Sequence, residues 1–152
     1  MIMNGTQPHL PEWLNVSRLV KGLDVDTVRN YAILHDCGKP ECLVIGDDGR
    51  RHFPDHAKAS ESVATQLGCS DDVTWLIAND MWMHTCSAED VNHVGLLRHD
   101  LIRVQMLVAF AEIHANAAMF GGIQTTSFKI KYKHVVKRAK VLYDRMTMNG
   151  LM

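Results

Sequence analysis

Tyr31-Ala32-Ile33-Leu34-His35-Asp36-Cys37-Gly38-Lys39-Pro40 decides how this chain is read. An apolar helical run ends in an imidazole and a carboxylate side by side. Gly38 and Pro40 stop the helix directly after them. A neutral imidazole and a carboxylate are good ligands for a divalent transition metal. The helix stop fixes their direction, and Lys39 lies near enough to meet a phosphate. The stretch points to metal-assisted phosphohydrolase chemistry.

Outward from it, nearly everything reads as helix. On the N-terminal side, Leu10, Trp13, Leu14, Leu19, Val20 and Leu23 recur near helical spacing. Asp24 or Asp26 caps the helix that carries His35, and Val28, Tyr31, Ala32 and His35 share one side of it. On the C-terminal side, Gly46-Asp47-Asp48-Gly49 is a turn between two short extended pieces within 43–53. A third helix covers about Ala57 to Leu67 and stops at Gly68. Ser70 caps a fourth, expected to reach Met83. Ser87-Ala88-Glu89-Asp90 resembles a capping box and opens a fifth, to about Arg98. Leu101 to Phe120 is apolar on all sides, the mark of a central buried helix, ended by Gly121-Gly122. Ser127 is the expected cap of a last helix, Phe128 to Met146. Its stripe is Phe128, Tyr132, Val135, Val136, Ala139, Leu142, Tyr143 and Met146. The expected fold is all-α, a compact bundle of about six to seven helices with one hairpin-like loop, in a single domain over 1–152.

The bulk numbers bound the function. The 152 residues are one domain's worth, and 47% hydrophobic content suffices for a core. A net charge of −1 gives no global case for nucleic acid or membrane. Cys37, Cys42, Cys69 and Cys86 form no C-x-x-C pair, so disulfides are not expected and a reducing cytoplasm fits. The opening MIMNGTQPHLPEW lacks a basic start and a long apolar core, so no signal peptide is expected. No apolar run approaches the roughly 20 residues that span a bilayer. The last helix concentrates Lys129, Lys131, Lys133, Lys137, Arg138, Lys140 and Arg145 against Asp144 alone. That face is either solvated or a contact for RNA.

In helix order and in its His35-Asp36 pair, the chain resembles the HD-domain metal-dependent phosphohydrolase superfamily. The family pattern is a histidine, an HD pair, further histidines, and a late aspartate on a buried helix. Here His9 precedes His35 by 26 residues, and Lys39 matches the lysine of the HD-x-G-K variant. Within the superfamily the pattern is closest to the HD domain of bacterial tRNA nucleotidyltransferases. Their histidine-rich loop and the helix after it correspond to Arg51-His52-Phe53-Pro54-Asp55-His56-Ala57-Lys58-Ala59-Ser60, where His56 matches the loop histidine best and His52 second. Their next histidine corresponds to Asp80 or His84. The late aspartate is missing from Phe110-Ala111-Glu112-Ile113-His114-Ala115-Asn116. By register His114 replaces it, while Glu112 is chemically closer. The two point about 200° apart on a helix, so only one can face a site.

The resemblance implies a divalent metal (Mn, Ni, Co, Mg, Zn or Fe) held by His9, His35, Asp36 and His114 or Glu112. It implies catalytic roles for Asp36, His56, His84 and Asp80, and phosphate contacts from Lys39 and His56. The substrate it suggests is a nucleotide or an RNA-end phosphoester, such as a 2′,3′-cyclic phosphate. A (deoxy)nucleotide phosphatase or triphosphatase is the neighbouring alternative. The HD-x-x-x-E-D form of alarmone hydrolases is not met, since Glu41 stands one place late and the second acid is absent. A degenerate HD domain that binds nucleotide or RNA without turnover is the alternative of another class. Within these residues there is no strand-rich nucleotidyltransferase domain. His99-Asp100 repeats the dipeptide, but Asp100 reads as a helix N-cap. His52, His93 and His134 read as surface residues, and Cys37 as a packed thiol. The oligomeric state is left open.

Overall fold

The computed structural model describes residues 9–152; the leader reading of the first residues lies outside the described residues. The fold is all-α with one two-stranded hairpin, as expected. Two compact units form along the chain, one from residues up to Lys21 together with Cys86–Met152, the other from Gly22–Thr85. Among the described residues, no helix is long and apolar enough to cross a membrane.

In the first unit, the described stretch before the helices is irregular, with one turn at Glu12 and Trp13 closed by the Leu14 amide on the Pro11 carbonyl at 3.0 Å. Helix α1 is only Val16–Val20, shorter than the apolar spacing predicts. The Asn15 side chain accepts from the Arg18 amide at 3.0 Å and starts it there. Gly22, at φ +73°, follows its end. So short a helix is marginal alone. The buried Arg103 guanidinium secures its C-terminal carbonyls, donating to Leu19 at 2.9 Å, to Arg18 at 3.4 Å and to Lys21.

Arg103 belongs to the central helix α7, His99–Ala115, whose residues Leu101–Met106 are all buried. Helix α6, Ala88–Leu97, precedes it. The expected capping box forms: the Ser87 amide donates to Asp90 Oδ2 at 2.8 Å and the Asp90 amide to Ser87 Oγ at 3.2 Å. Only Arg98 separates α6 from α7, so Asp100 falls inside the first turn of α7 and is not its N-cap. There its charge still complements the helix dipole. Asn116 ends α7, and Ala117–Phe120 continues as a 3₁₀ turn rather than as helix. Helix α8, Thr126–Met148, begins earlier than expected because Thr125, not Ser127, caps it. The Thr125 hydroxyl accepts from the Phe128 amide at 3.3 Å and donates to the Gly122 carbonyl at 2.9 Å. Apart from half-buried Tyr132 and Val136, the expected α8 stripe is buried.

In the second unit, α2 is Val25–Leu34. Asp24 is its cap, accepting from the Thr27 amide at 2.8 Å and the Thr27 hydroxyl at 2.7 Å. Asp26 lies in the first turn. A 3₁₀ turn, Lys39–Cys42, leads into strands β1, Val44–Ile45, and β2, Arg51–His52. They pair antiparallel with Val44 opposite His52, and Gly49 turns the chain at φ +72°. Helix α3, His56–Gln66, starts from Asp55, the one non-glycine residue with positive φ (54°) among the described residues. Helix α4, Asp71–Ala78, starts at the Ser70 cap. It stops five residues short of Met83, because the Asn79 amide folds back onto the Trp75 carbonyl at 2.8 Å and closes the last turn. Trp82–Thr85 is a separate turn of helix, α5. Helix α3 packs on the 3₁₀ turn and on α4, and α4 packs on α2 around Tyr31, Ala64, Val73, Leu76 and Ile77.

The tightest joint in this unit is Gly38 against α3. Its amide donates to the buried Ser60 hydroxyl at 2.9 Å. A Cβ on Gly38 would stand 2.3 Å from the Ser60 nitrogen and 2.4 Å from the Ala59 carbonyl carbon. Gly38→Ala is therefore expected to lower stability by at least about 2 kcal/mol through overpacking, read as a shift of the urea midpoint. A wild-type midpoint would show that α3 can move aside. The Asp24 carboxyl is held below the usual carboxylate range, first by the Thr27 hydroxyl and then by the Thr27 amide. Its contribution is present above the unfolded-state pKa and lost as pH falls through the lower folded value. Asp24→Ala should lower Tm at pH 7, and the gap to wild type should close below about pH 4. A gap that persists in acid would assign the effect to something other than the charged cap.

Candidate metal centre

Four elements of the second unit meet around Asp36. Helix α2 delivers Tyr31 and, at its C-cap, His35. The turn after it carries Asp36, the 3₁₀ turn carries Lys39, α3 opens with His56, and the break after α4 carries Asp80. Asp36, His56 and Asp80 each offer a donor atom, and the three lie within 4.8 Å of one another. The His56 Nε2 stands 3.8 Å from Asp36 Oδ1 and 3.9 Å from Asp80 Oδ2. Those gaps are too long for direct hydrogen bonds. They suit donors that share a cation at about 2.0–2.2 Å each, which stand roughly 3–4 Å apart.

The orientation of each donor has a local cause. The His56 Nδ1 lies 3.2 Å from the Phe53 carbonyl. A carbonyl only accepts, so Nδ1 carries the hydrogen and Nε2 of the neutral ring turns its lone pair toward the two carboxylates. The His35 Nδ1 meets the Ala32 carbonyl at 3.1 Å in the same way, which sets its Nε2 beside Asp36 Oδ2 at 3.5 Å. The Tyr31 hydroxyl donates to Asp80 Oδ1 at 2.6 Å, and Oδ2 is the Asp80 oxygen nearest His56. A ligating imidazole whose second nitrogen is held by a carbonyl, and a ligating carboxylate held by a hydroxyl, are the outer-shell arrangement of metal sites. Two carboxylates and one neutral nitrogen would leave positions for water and substrate on a divalent ion. The donor set therefore fits such an ion.

Lys39 Nζ lies 2.5 Å from Asp36 Oδ2 and 5.6 Å from the centre of the Phe53 ring. Cys37 is packed as expected, its thiol on the Ser60 carbonyl at 3.7 Å. His84, on α5, is exposed and joins no such group of donors among the described residues. His52 pairs loosely with Asp48 on the hairpin, and His93 with Glu89 on α6.

The remaining expected ligands belong to the first unit. The His9 ring lies 5.5 Å from that of Tyr132 on α8. His114, on α7, packs edge-on against Phe128 and Tyr132 at 5.7 and 5.9 Å. Its Nδ1 meets the Phe110 carbonyl at 2.7 Å, so Nε2 again keeps the lone pair. That nitrogen and the Tyr132 hydroxyl are both buried without a hydrogen-bond partner among the described residues. Burial pushes the Tyr132 phenol up, which keeps it a neutral donor. Glu112 accepts from the Asn116 side chain at 3.4 Å.

Three supporting residues escape a reading by motif: Tyr31, Phe53 and Ser60. Tyr31 had a signal, since it stands one helical turn before His35 on the same face. Ser60 and the Phe53 carbonyl had none. No protein-family model, no curated protein and no solved structure matches this chain.

Tyr31→Phe tests the centre without touching a ligand. Losing the hydrogen bond on Asp80 should weaken Mn²⁺ binding about tenfold in calorimetry. Unchanged affinity would remove Asp80 from the ligand set.

Proposed function

We propose that the chain is an HD-type metal-dependent phosphohydrolase acting on a nucleotide or RNA-end phosphoester. The observation that carries this reading is the meeting of Asp36, His56 and Asp80, with the His56 lone pair turned toward both carboxylates. In this reading they hold a divalent ion. His35 stands beside Asp36, and the roles of His9 and of His114 or Glu112 come from the resemblance. When bound, such an ion makes water a better nucleophile near neutral pH and draws charge from a phosphoryl oxygen.

The chain's own groups do the rest. Asp36 orients the attacking water through whichever oxygen it does not give to the ion. Tyr31 holds Asp80 so that the carboxylate need not reorganise as charge moves. Lys39, one-third exposed at its side chain, can reach an anionic oxygen and offset charge gathering there. The resemblance gives His84 the proton for the leaving oxygen, a task an imidazole suits.

One observation favours an RNA end over a free nucleotide. On α8, Arg138 donates to the Cys86 carbonyl and Lys140 pairs with Asp144. Lys129, Lys133 and Lys137 stay exposed, four residues apart and so in one row. Such a row suits successive phosphates of a strand.

Phosphate release tests the reading, using metal-supplemented protein, 2′,3′-cyclic nucleotides, an RNA ending in a cyclic phosphate, nucleoside monophosphates and deoxynucleoside triphosphates. Turnover that falls to background in Asp36→Ala is the expected result, with the RNA preferred. Preference for triphosphates would move the substrate class to deoxynucleotides. Binding without turnover under any metal would make this a non-catalytic nucleotide- or RNA-binding domain.

A further inference from the structure

Asp36 presents its two oxygens to two different neighbours. Its Oδ1 faces His56, and its Oδ2 carries the Lys39 ammonium at 2.5 Å. An ion pair three residues apart on a surface is ordinarily weak. This one differs in its surroundings. The carboxylate is the hub of the donor cluster, and the ammonium also lies over the Phe53 ring, a favourable cation–π placement. The same Phe53 supplies the carbonyl that turns His56 inward. A divalent ion on Asp36 would sit a few ångströms from that ammonium, and two positive charges so placed weaken each other's hold on one carboxylate. An anionic oxygen arriving at the site removes the conflict, because it accepts the ammonium and lies against the ion.

We infer that Lys39 is a built-in counter-ion that couples metal binding to phosphate binding: it holds Asp36 while the site is empty of metal and moves to the anion when both ligands are present. The inference rests on the metal reading above and adds a coupling to it. Coupling between two ligands is reciprocal, so phosphate must tighten metal binding by the factor by which metal tightens phosphate. Without its anion, the protein holds metal weakly; with a phosphoester, the two bind together.

Calorimetric titration of the full chain with Mn²⁺, with and without inorganic phosphate, tests this. The proteins are wild type, Lys39→Met, Lys39→Arg and Asp36→Ala, each checked for folding by its thermal transition. Phosphate should tighten Mn²⁺ binding to wild type at least about fivefold. Lys39→Met should bind Mn²⁺ more tightly than wild type when phosphate is absent and should lose the phosphate effect. Lys39→Arg, which keeps the charge, should retain it. Mn²⁺ binding that needs Asp36 but is unchanged or weaker in Lys39→Met, or a phosphate effect that survives that substitution, would overturn the coupling and leave the metal reading standing. Wild type that takes up no more Mn²⁺ than Asp36→Ala would bring down both.

Discussion

The candidate centre depends on one close approach, the Gly38 backbone against the backbone of α3 at Ala59 and Ser60. A helix and a loop can come this near only where no Cβ intervenes. The contact then has a buried hydrogen bond to complete it, from the Gly38 amide to the Ser60 hydroxyl. Ser60 is fully buried, so that hydroxyl would be costly without a partner. Its carbonyl also receives the Cys37 thiol. The turn after α2 is thus tied to α3 at Cys37 and at Gly38. Asp36 and Lys39 leave that turn on one side, and His56 opens the same helix one turn before Ser60.

Around this joint the chemistry is a matter of orientation. The histidines given ligand roles at His35, His56 and His114 each hold Nδ1 on a carbonyl three or four residues earlier. Helical or near-helical backbone places that carbonyl within reach, and the ring is left with one lone pair and one direction. Two of these rings lie beside Asp36. An imidazole nitrogen with its lone pair toward two carboxylates is an electrostatic arrangement that calls for a positive charge. The ammonium of Lys39 answers part of that need from the edge of the cluster.

The first unit shows the same economy of polar groups. Arg103 is buried on a central helix because the three carbonyls at the end of α1 need a donor, and a guanidinium can serve several at once. Arg138 does likewise for the Cys86 carbonyl. The basic count of α8 therefore overstates its free surface charge. His114 Nε2 and the Tyr132 hydroxyl are among the exceptions, buried and unanswered among the described residues on rings 5.9 Å apart.

Much of this was legible in the sequence. The all-α class, the hairpin at 46–49, the Asp24 and Ser70 caps and the buried stripe of α8 follow from interactions within a few residues, and local pattern records those. The misread boundaries were competitions between neighbours. Thr125 rather than Ser127 took the cap of α8, Asn79 folded back on α4, and a single residue between α6 and α7 left Asp100 no place as a cap. The pair His35-Asp36 was legible as a ligand candidate because its chemistry is written in adjacent residues. That Asp80 rather than His84 meets Asp36 and His56, and that Tyr31 and Phe53 hold the donors in place, was decided only by tertiary structure. Those contacts join residues up to 49 apart, and what brings them together is the packing of α2, α3 and α4 around a glycine without a side chain.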